Sequence, residues 1–192
     1  MTPGSPHSSG QYFEENPSAR SRPSTVQLAL PDISATLSTD SGVFSAQRVD
    51  PGTKALLVEM ASAHGSTNWP GGDLVDLGCG YGPITIALAL RHPDRTVWAV
   101  DTNRRALELT ARNAELAGVA QRVRPVAPEE VPEMLTVSAL VSNPPIRVGK
   151  ARLHEILSTW LERLEFGGEA WLVVAKNLGS DSLLKWLVER RH

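Results

Sequence analysis

Apolar positions follow two alternating spacings along most of this chain, and this alternation predicts its architecture. From Leu74 onward, short apolar runs that suit buried strands are followed by stretches in which apolar residues recur every three or four positions, as on one helix face. The predicted strands are 74–77, 96–101, 122–126, 137–142 and 170–175. The predicted helices start at Pro83 and are ended by Pro93, run from Arg104 to Ala117 with Gly118 as cap, run from Leu153 until Gly167-Gly168, and span 181–190. Strands alternating with helices predict an α/β fold, with a doubly wound, mainly parallel sheet covered on both faces.

The amino-terminal part of the chain has a different pattern. Residues 1–25 contain six Ser, four Pro and two Gly, which bury too little apolar surface to offset the entropy of ordering, so we predict a flexible arm. Before a helix that opens at Pro51 and ends at Gly65, a small antiparallel element is predicted from β-like runs at 26–30, 35–37 and 43–44. The predicted organisation is an arm, 1–25, and a single domain, 26–192, composed of an extension, 26–70, and a core, 71–192.

Composition and charge exclude several classes of protein. With 192 residues, 41% hydrophobic and 21% charged, the chain suits one globular domain rather than a disordered, fibrous or membrane protein. Cys79 is the single cysteine, and no Cys/His cluster has zinc-ligand spacing, so neither a disulfide nor a metal is expected. Without a signal-peptide pattern or a long apolar run, we expect a cytoplasmic protein. The net charge of -2 disfavours non-specific affinity for nucleic acid through global charge.

A glycine-rich turn between the first core strand and the first core helix carries the strongest chemical signal. The segment Asp76-Leu77-Gly78-Cys79-Gly80-Tyr81-Gly82-Pro83 places three glycines where a strand turns into a helix. Such glycines permit positive φ and a close backbone approach to a ligand, while a helix start presents free N–H groups. We therefore expect a nucleotide-like ligand across this turn, in preference to a tight turn with no ligand. A dinucleotide fingerprint needs a small residue at position 83, so Pro83 disfavours NAD and FAD.

Two acidic residues beside this turn indicate the class of ligand. Asp76 precedes the glycines and suits a cofactor with an ammonium group, which it can serve through water or through backbone amides of the loop. A pyrophosphate would be repelled there. Asp101 ends the next strand, where a carboxylate can accept hydrogen bonds from both ribose hydroxyls of an adenosine. Together the two acids favour S-adenosylmethionine.

The second chemical signal is Ser142-Asn143-Pro144-Pro145-Ile146, at the end of the fourth core strand. A conjugated exocyclic amine is a poor nucleophile, so an enzyme must hold it with its lone pair aimed at the methyl group. The Asn143 side-chain carbonyl and the Pro144 backbone carbonyl can each accept one amine hydrogen, and the prolines, including Pro145, stiffen this geometry. No strong base is needed, because the nitrogen becomes acidic after attack. Asn-Pro-Pro alone is also a common turn; its position after the fourth strand favours catalysis.

Cys79 and a group of cations allow more than one interpretation. Cys79 is more consistent with a small space-filling residue of the loop than with a nucleophile, because no His or paired base is near in sequence. Arg147, Lys150 and Arg152 follow the Asn-Pro-Pro segment and either hold phosphates around an extruded base or form a solvated helix start. Ile146, Arg147 and Lys150 are the predicted substrate-binding residues.

These motifs resemble the methyltransferase small domain family, which includes bacterial enzymes that methylate the N2 amine of a guanine in 16S ribosomal RNA. The resemblance covers 42–187, through the segments 42–45, 50–53, 76–83, 142–150 and 176–183 and through Asp101. It implies the Rossmann-like fold of class I methyltransferases, S-adenosylmethionine as cofactor, and ribosomal RNA or the small ribosomal subunit as partner. It also implies target-amine contacts by Asn143 and Pro144, and cofactor contacts by Asp76, Gly78, Gly80 and Asp101. We add Cys79, Gly82 and Asn143 to the predicted cofactor site.

Two departures from this family and two other functions complete the predictions. Many relatives have Phe or Tyr after the double proline to stack on the target base, whereas Ile146 stands here. The class I fold usually ends with an antiparallel strand pair, which this sequence lacks, so either the chain is truncated or the amino-terminal strands complete the sheet. Asn-Pro-Pro also serves methylation of protein glutamine and of DNA adenine. An inactive module that binds RNA or protein is the alternative outside catalysis.

Overall fold

The computed structural model of this chain describes residues 20–63, 69–144, 149–175 and 179–189. Most of the predicted arm, 1–19, lies outside the described residues. Residues just before the boundary predicted at residue 25 already contact the domain. The hydroxyl of Ser21 donates a hydrogen bond to Asp40 Oδ2 at 2.6 Å, and the first strand begins at Ser24.

Two amino-terminal strands form a small sheet of their own. Strand β1, Ser24–Ala29, pairs antiparallel with β2, Ser34–Thr39, and the buried side chains of Val26 and Leu37 stand opposite each other. The predicted antiparallel element is therefore confirmed. The β-like run predicted at 43–44 is wrong, since these residues lie in turns and bends. Within the described residues the two strands do not join the main sheet, so the hypothesis that they complete it is also wrong.

Five parallel strands form the main sheet of the described chain. They are β3 (Leu74–Leu77), β4 (Val97–Val100), β5 (Val123–Val126), β6 (Val137–Ser142) and β7 (Leu164–Leu172). Their order across the sheet is β5-β4-β3-β6-β7, and each neighbouring pair is parallel. Every residue of β3 and β6 is buried, as expected for parallel strands covered on both faces. The predicted α/β fold is confirmed.

Helices cover both faces of this sheet, which makes it doubly wound. The described helices are α1 (Pro51–Ala63), α2 (Pro83–Arg91), α3 (Arg104–Leu116), α4 (Lys150–Leu161) and α5 (Ser180–Glu189), with 3₁₀ turns at Ala120–Arg122 and Pro128–Glu130. Helices α1 to α3 share one buried cluster with β1 and β2, whereas α4 and α5 contribute Leu157 and Leu183 to a second cluster on the other face. None of the described helices is long and apolar enough to cross a membrane.

The boundary between the helix predicted from Leu153 and the strand predicted after it lies earlier in the chain than Gly167-Gly168. Helix α4 ends at Leu161 rather than at Gly167-Gly168, and β7 begins at Leu164 rather than at residue 170. The glycines serve an irregularity within the strand. Gly167 has φ 82°, the pairing register of β6 and β7 shifts between Val137 and Ala139, and a Cβ on Gly168 would lie 3.0 Å from two backbone oxygens. Glycine is needed for this bulge and not for a helix end.

Candidate functional site

Three neighbouring strands of the main sheet end at the same edge, and the predicted chemical residues follow them directly. Strand β3 leads into the glycine loop, β4 leads into Asp101, and β6 leads into Asn143. The chain runs from β3 outward through β4 and β5, and then returns to place β6 on the other side of β3. In open α/β sheets, ligands bind outside the carboxyl ends of the strands where the order reverses in this way. The crevice between the ends of β3 and β6 is thus the candidate site.

The glycine loop lets a ligand approach its backbone closely, but few of its amide N–H groups are free to donate. Gly78, Gly80 and Gly82 have φ of 76°, 58° and 91°, in the left-handed region that glycine tolerates best. A Cβ on Gly80 would meet no atom within 4 Å, so this side of the loop is open to a ligand. The loop itself, as distinct from the helix start where free N–H groups were expected, has few free donors. Internal acceptors already bond the amides of Gly78, Cys79, Gly80 and Gly82.

Two of the loop residues face the protein interior and support the fold. A Cβ on Gly82 would lie 2.9 Å from Thr110 Oγ1 on α3, so glycine permits the close packing of loop and helix. The Cys79 thiol lies 3.7 Å from the same hydroxyl and is buried, and this burial raises the pKa of the thiol. These contacts support Cys79 as a space-filling residue. Its predicted contact with a cofactor, like that of Gly78, stays a prediction.

Asp101 fastens the glycine loop to the end of β4. Its Oδ2 accepts a hydrogen bond from the Gly80 amide and its Oδ1 accepts one from the Asn103 amide, both at 2.9 Å. The surrounding protein removes much of its water, which raises the pKa of this half-buried carboxyl. Each carboxylate oxygen keeps a further lone pair. Asp101 can therefore accept hydrogen bonds from a pair of ligand hydroxyls beside the open side of Gly80.

Asp76 lies beneath the loop, fully buried. Its Oδ2 accepts hydrogen bonds from the Thr85 amide at 2.9 Å and the Thr85 hydroxyl at 2.6 Å, in the first turn of α2. The predicted contact with loop amides is therefore wrong. Burial raises the pKa of Asp76 to about 7, with a further contribution from the negative charge of Asp101. Its Oδ1 finds no hydrogen-bond partner among the described residues, which leaves one acceptor for an ammonium group or a bridging water.

Asn143 is held from the amino-terminal side of the domain. Its Nδ2 donates hydrogen bonds to Asp50 Oδ1 at 2.9 Å and to Thr53 Oγ1 at 3.0 Å, at the start of α1. Pro144 follows it in a buried position. The sequence interpretation assigned no role to Asp50 and Thr53. Their only sequence signal was their place in a segment, 50–53, that resembles the family.

The predicted substrate-binding residues are described only in part. Pro145, Ile146 and Arg147 lie outside the described residues. Lys150 begins α4 and is exposed. Arg152, also exposed, forms an ion pair with Glu155 at 2.7 Å, and such exposed pairs contribute little to stability. The cationic group therefore stays a predicted binding surface.

A segment from Asp40 to Asp50 crosses this edge of the molecule and contacts the site from above the loop. Asn103 Nδ2 donates to the Gly42 carbonyl at 2.9 Å, and Tyr81 Oη donates to the Arg48 carbonyl at 3.4 Å. The segment thus runs from the end of β4, past the glycine loop, to Asn143. The amino-terminal extension is part of the candidate site and not a separate appendage.

The donors and acceptors of the site fit S-adenosylmethionine. The free Oδ1 of Asp76 suits an ammonium group, the carboxylate of Asp101 suits two hydroxyls, and the open side of Gly80 admits a flat ligand against the backbone. Four loop amides that could otherwise bind a pyrophosphate are already bonded within the chain, those of Gly78, Cys79, Gly80 and Gly82. The arrangement therefore supports an adenosine with a charged amino acid group over a dinucleotide.

Comparison with known proteins agrees with this geometry. Residues 34–192 match the family model described as methyltransferase small domain. YbxB of Bacillus subtilis, an uncharacterized protein, is 36% identical over 184 residues, which make up 94% of this chain and 89% of YbxB. Ribosomal RNA small subunit methyltransferase C of Hahella chejuensis is 40% identical over 147 residues, 74% of this chain and 41% of that enzyme.

One solved structure shares both the fold and a quarter of the sequence. The T. thermophilus 16S rRNA N2 methyltransferase RsmC, in complex with AdoMet and guanosine, superposes with a TM-score of 0.73 at 25% identity, over 85% of this chain and 45% of that one. The chain thus spans less than half the length of each of these two ribosomal RNA methyltransferases. Together with the match over residues 34–192, these likenesses show that the chain belongs to the methyltransferase small domain family of S-adenosylmethionine-dependent enzymes.

Proposed function

We propose that this chain transfers a methyl group from S-adenosylmethionine to an exocyclic amine of a nucleobase, namely guanine N2 in small-subunit ribosomal RNA. The observation that carries the proposal is the hydrogen bonding of the Asn143 side chain at the crevice beside the glycine loop. Its amide nitrogen is bound by Asp50 and Thr53, which leaves its carbonyl oxygen as the acceptor for a substrate amine. The two ribosomal RNA methyltransferases that this chain resembles support the choice of RNA, and the guanosine complex of one supports the choice of base.

The cofactor would be held by groups along β3 and β4. When bound, S-adenosylmethionine supplies an electrophilic methyl group on a sulfonium centre. Asp101 accepts hydrogen bonds from the ribose hydroxyls, and Gly80 lets the backbone approach the ligand. Because Asp76 is fully buried, its free oxygen would act on the ammonium group through a buried bridging water.

The substrate amine would be held by Asn143 and Pro144. The Asn143 side-chain carbonyl and the Pro144 backbone carbonyl each accept one hydrogen of the amine, so its lone pair is aimed along one direction. These hydrogen bonds stabilise the transition state more than the bound substrate, because the amine hydrogens become more acidic as the nitrogen forms its new bond. The proton then leaves to water without a dedicated strong base.

Labelled methyl transfer from S-adenosylmethionine tests this function. Wild-type protein and Asn143→Ala are compared on 30S subunits, naked 16S RNA, DNA and a protein extract, and cofactor binding to both proteins is measured by calorimetry. We expect label in RNA, loss of turnover by about 100-fold or more in the variant, and cofactor affinity within about twofold of wild type.

Each of the other possible results would contradict a specific part of the proposed function. Label only in protein or DNA would refute the guanine assignment and favour glutamine or adenine as target. Cofactor binding without transfer to any of the four substrates would support the inactive binding module. Transfer to RNA by Asn143→Ala at the wild-type rate would remove Asn143 from the mechanism.

A further inference from the structure

Two residues at the start of α1 occupy both hydrogens of the Asn143 amide. Asp50 Oδ1 accepts one at 2.9 Å and Thr53 Oγ1 accepts the other at 3.0 Å. Asp50 and Asn143 are 93 positions apart in sequence, and three strands of the main sheet, β3, β4 and β5, lie between them along the chain together with β6. The contact therefore depends on the complete fold.

The acceptors are themselves fixed in place. Asp50 Oδ1 also accepts the Thr53 amide at 3.0 Å, so the carboxylate caps the first turn of α1 while it holds Asn143. Thr53 is 3% exposed, and as a β-branched residue in a helix it has few rotamers available. Neither acceptor can follow the Asn143 side chain if that side chain rotates.

The charge of Asp50 decides which end of the Asn143 amide faces α1. An ionised carboxylate only accepts hydrogen bonds, so it binds the amide nitrogen and repels the amide oxygen. A half-turn of the amide would place two oxygens about 3 Å apart, without a proton between them. The carbonyl oxygen of Asn143 is therefore directed away from Asp50.

We propose that Asp50 and Thr53 are positioning residues, which act through Asn143 by keeping its carbonyl oxygen directed at the target amine. This inference rests on the proposed function of Asn143 as the amine acceptor. In the absence of the two hydrogen bonds, the amide would turn over part of the time and present its NH₂ group to the amine. Two sets of donors would then face each other, and the lone pair of the amine would lose its alignment.

Thr53 gives the sharpest test, because one atom can be exchanged. Thr53→Val keeps the branched shape and removes the acceptor, whereas Thr53→Ser keeps the acceptor. We expect Thr53→Val to lower kcat by about tenfold, the size of one missing hydrogen bond, with KM for RNA and cofactor affinity within about twofold. Thr53→Ser should restore most of kcat. Thr39→Val is the matched control, because Thr39 is buried in β2 and its hydroxyl has no partner among the described residues.

A double-mutant cycle shows whether the effect passes through Asn143. In an Asn143→Ala background, measured in single turnover, Thr53→Val should cause no further loss of rate. An equal loss in both backgrounds would mean that Thr53 acts on the substrate or on the fold, and would overturn the proposal. So would a tenfold fall in cofactor affinity, because Thr53 would then belong to the cofactor site.

A readout without substrate separates this inference from the proposed function. In ¹⁵N spectra, the side-chain NH₂ protons of Asn143 should exchange slowly with water in wild type and rapidly in Thr53→Val. Slow exchange in wild type combined with no RNA methylation would refute the proposed function and leave the contact intact. Rapid exchange in Thr53→Val with unchanged kcat on RNA would refute the positioning role alone.

Discussion

Asp76 is an acidic side chain buried from bulk solvent, and its two protonation states differ in the hydrogen bonds that they can form with a ligand or a bridging water. Both Thr85 donors point to Oδ2, so an ionised Asp76 leaves a full acceptor at Oδ1. A protonated Asp76 can instead donate from that position. With the pKa of Asp76 raised to about 7 by burial, protein free of cofactor holds a mixture of both states near neutral pH. A cationic group beside Oδ1 would favour the ionised state.

The first residue-scale prediction concerns stability against pH in the absence of cofactor. Between pH 3.8 and about 7, the unfolded chain has released the Asp76 proton while the folded chain still retains it. The contribution of Asp76 to stability is therefore complete below 3.8, falls as the pH rises to about 7, and is constant above that. Asp76→Asn keeps an acceptor for Thr85 and cannot titrate. We expect the unfolding free energy of wild type, relative to this variant, to fall by a few kcal/mol across that interval.

Urea unfolding of both proteins at several pH values measures this difference. Taking the difference removes the titration of all other groups, which the two proteins share. A stability difference that does not change with pH would show that Asp76 has the same pKa in the folded and unfolded chain.

The glycine loop is held as an element by its neighbours, and this leaves one side for a ligand. Asp101 binds the Gly80 amide, and the Val100 carbonyl accepts the amides of Gly78 and Cys79. The Thr110 side chain packs closely against Gly82, and its hydroxyl donates a hydrogen bond to the Gly80 carbonyl at 2.9 Å. A loop fixed by this many hydrogen bonds needs little reorganisation on binding. Its affinity for a ligand should therefore depend on the space over Gly80 more than on loop ordering.

Gly80→Ala tests the space over the loop, with Gly118→Ala as its matched control. Both glycines have positive φ, 58° and 69°, and an added Cβ meets nothing within 4 Å at either position. Each substitution should cost roughly 1–2 kcal/mol of stability for the left-handed backbone alone. Only Gly80→Ala should weaken S-adenosylmethionine binding in calorimetry, by about tenfold or more, because its methyl group would enter the space proposed for the cofactor. Equal cofactor affinities in the two variants would place the cofactor elsewhere.

Local sequence patterns were sufficient to predict most helices and strands. They did not predict the contacts between residues that are distant in sequence. The strand at 137–142 and the helix at Pro83 follow from apolar runs and from a proline at a first turn, which depend on a few adjacent residues. The helix end predicted at Gly167-Gly168 is wrong, because the need for glycine there arises from the backbone of β6, a neighbour in space. The contact of Asn143 with Asp50 likewise depends on a residue that is close in space and distant in sequence. Nothing in either local sequence specifies the partner.

At the scale of the whole molecule, the amino-terminal extension and the core form one site. The segment from Asp40 to Asp50 is bonded to Asn103, Tyr81 and Asn143, which follow or accompany three different strands of the core. Arg105 Nη1 also donates to the Ser41 carbonyl at 2.7 Å. Removal of the extension would therefore leave Asn143 without its two acceptors. We expect such a truncated chain to lose methyl transfer even where the main sheet still folds.

The overall charge of the chain requires that RNA affinity be local. With a net charge of -2, long-range attraction to phosphate is weak, and binding must come from a cationic surface near the site. Lys150 is exposed at the start of α4, a few residues after Asn143, and Arg147 lies between them in sequence. Lys150 and Arg147 are therefore the cations of the predicted binding surface, on the basis of their places in the sequence after Asn143.

Charge reversal at Arg147 and Lys150 tests this surface. We expect Glu at both positions to weaken RNA binding and to reduce the slope of log affinity against log salt by about 0.7 for each phosphate that the protein no longer neutralises. Arg112→Glu is the control, because Arg112 is exposed on α3, on the opposite face of the sheet. It changes the net charge without touching the proposed surface, so its salt slope should match wild type. Binding is measured by fluorescence anisotropy on a 16S RNA fragment at several salt concentrations. If the control flattens the slope as much as the charge reversals do, RNA binding follows the net charge of the molecule and not this surface.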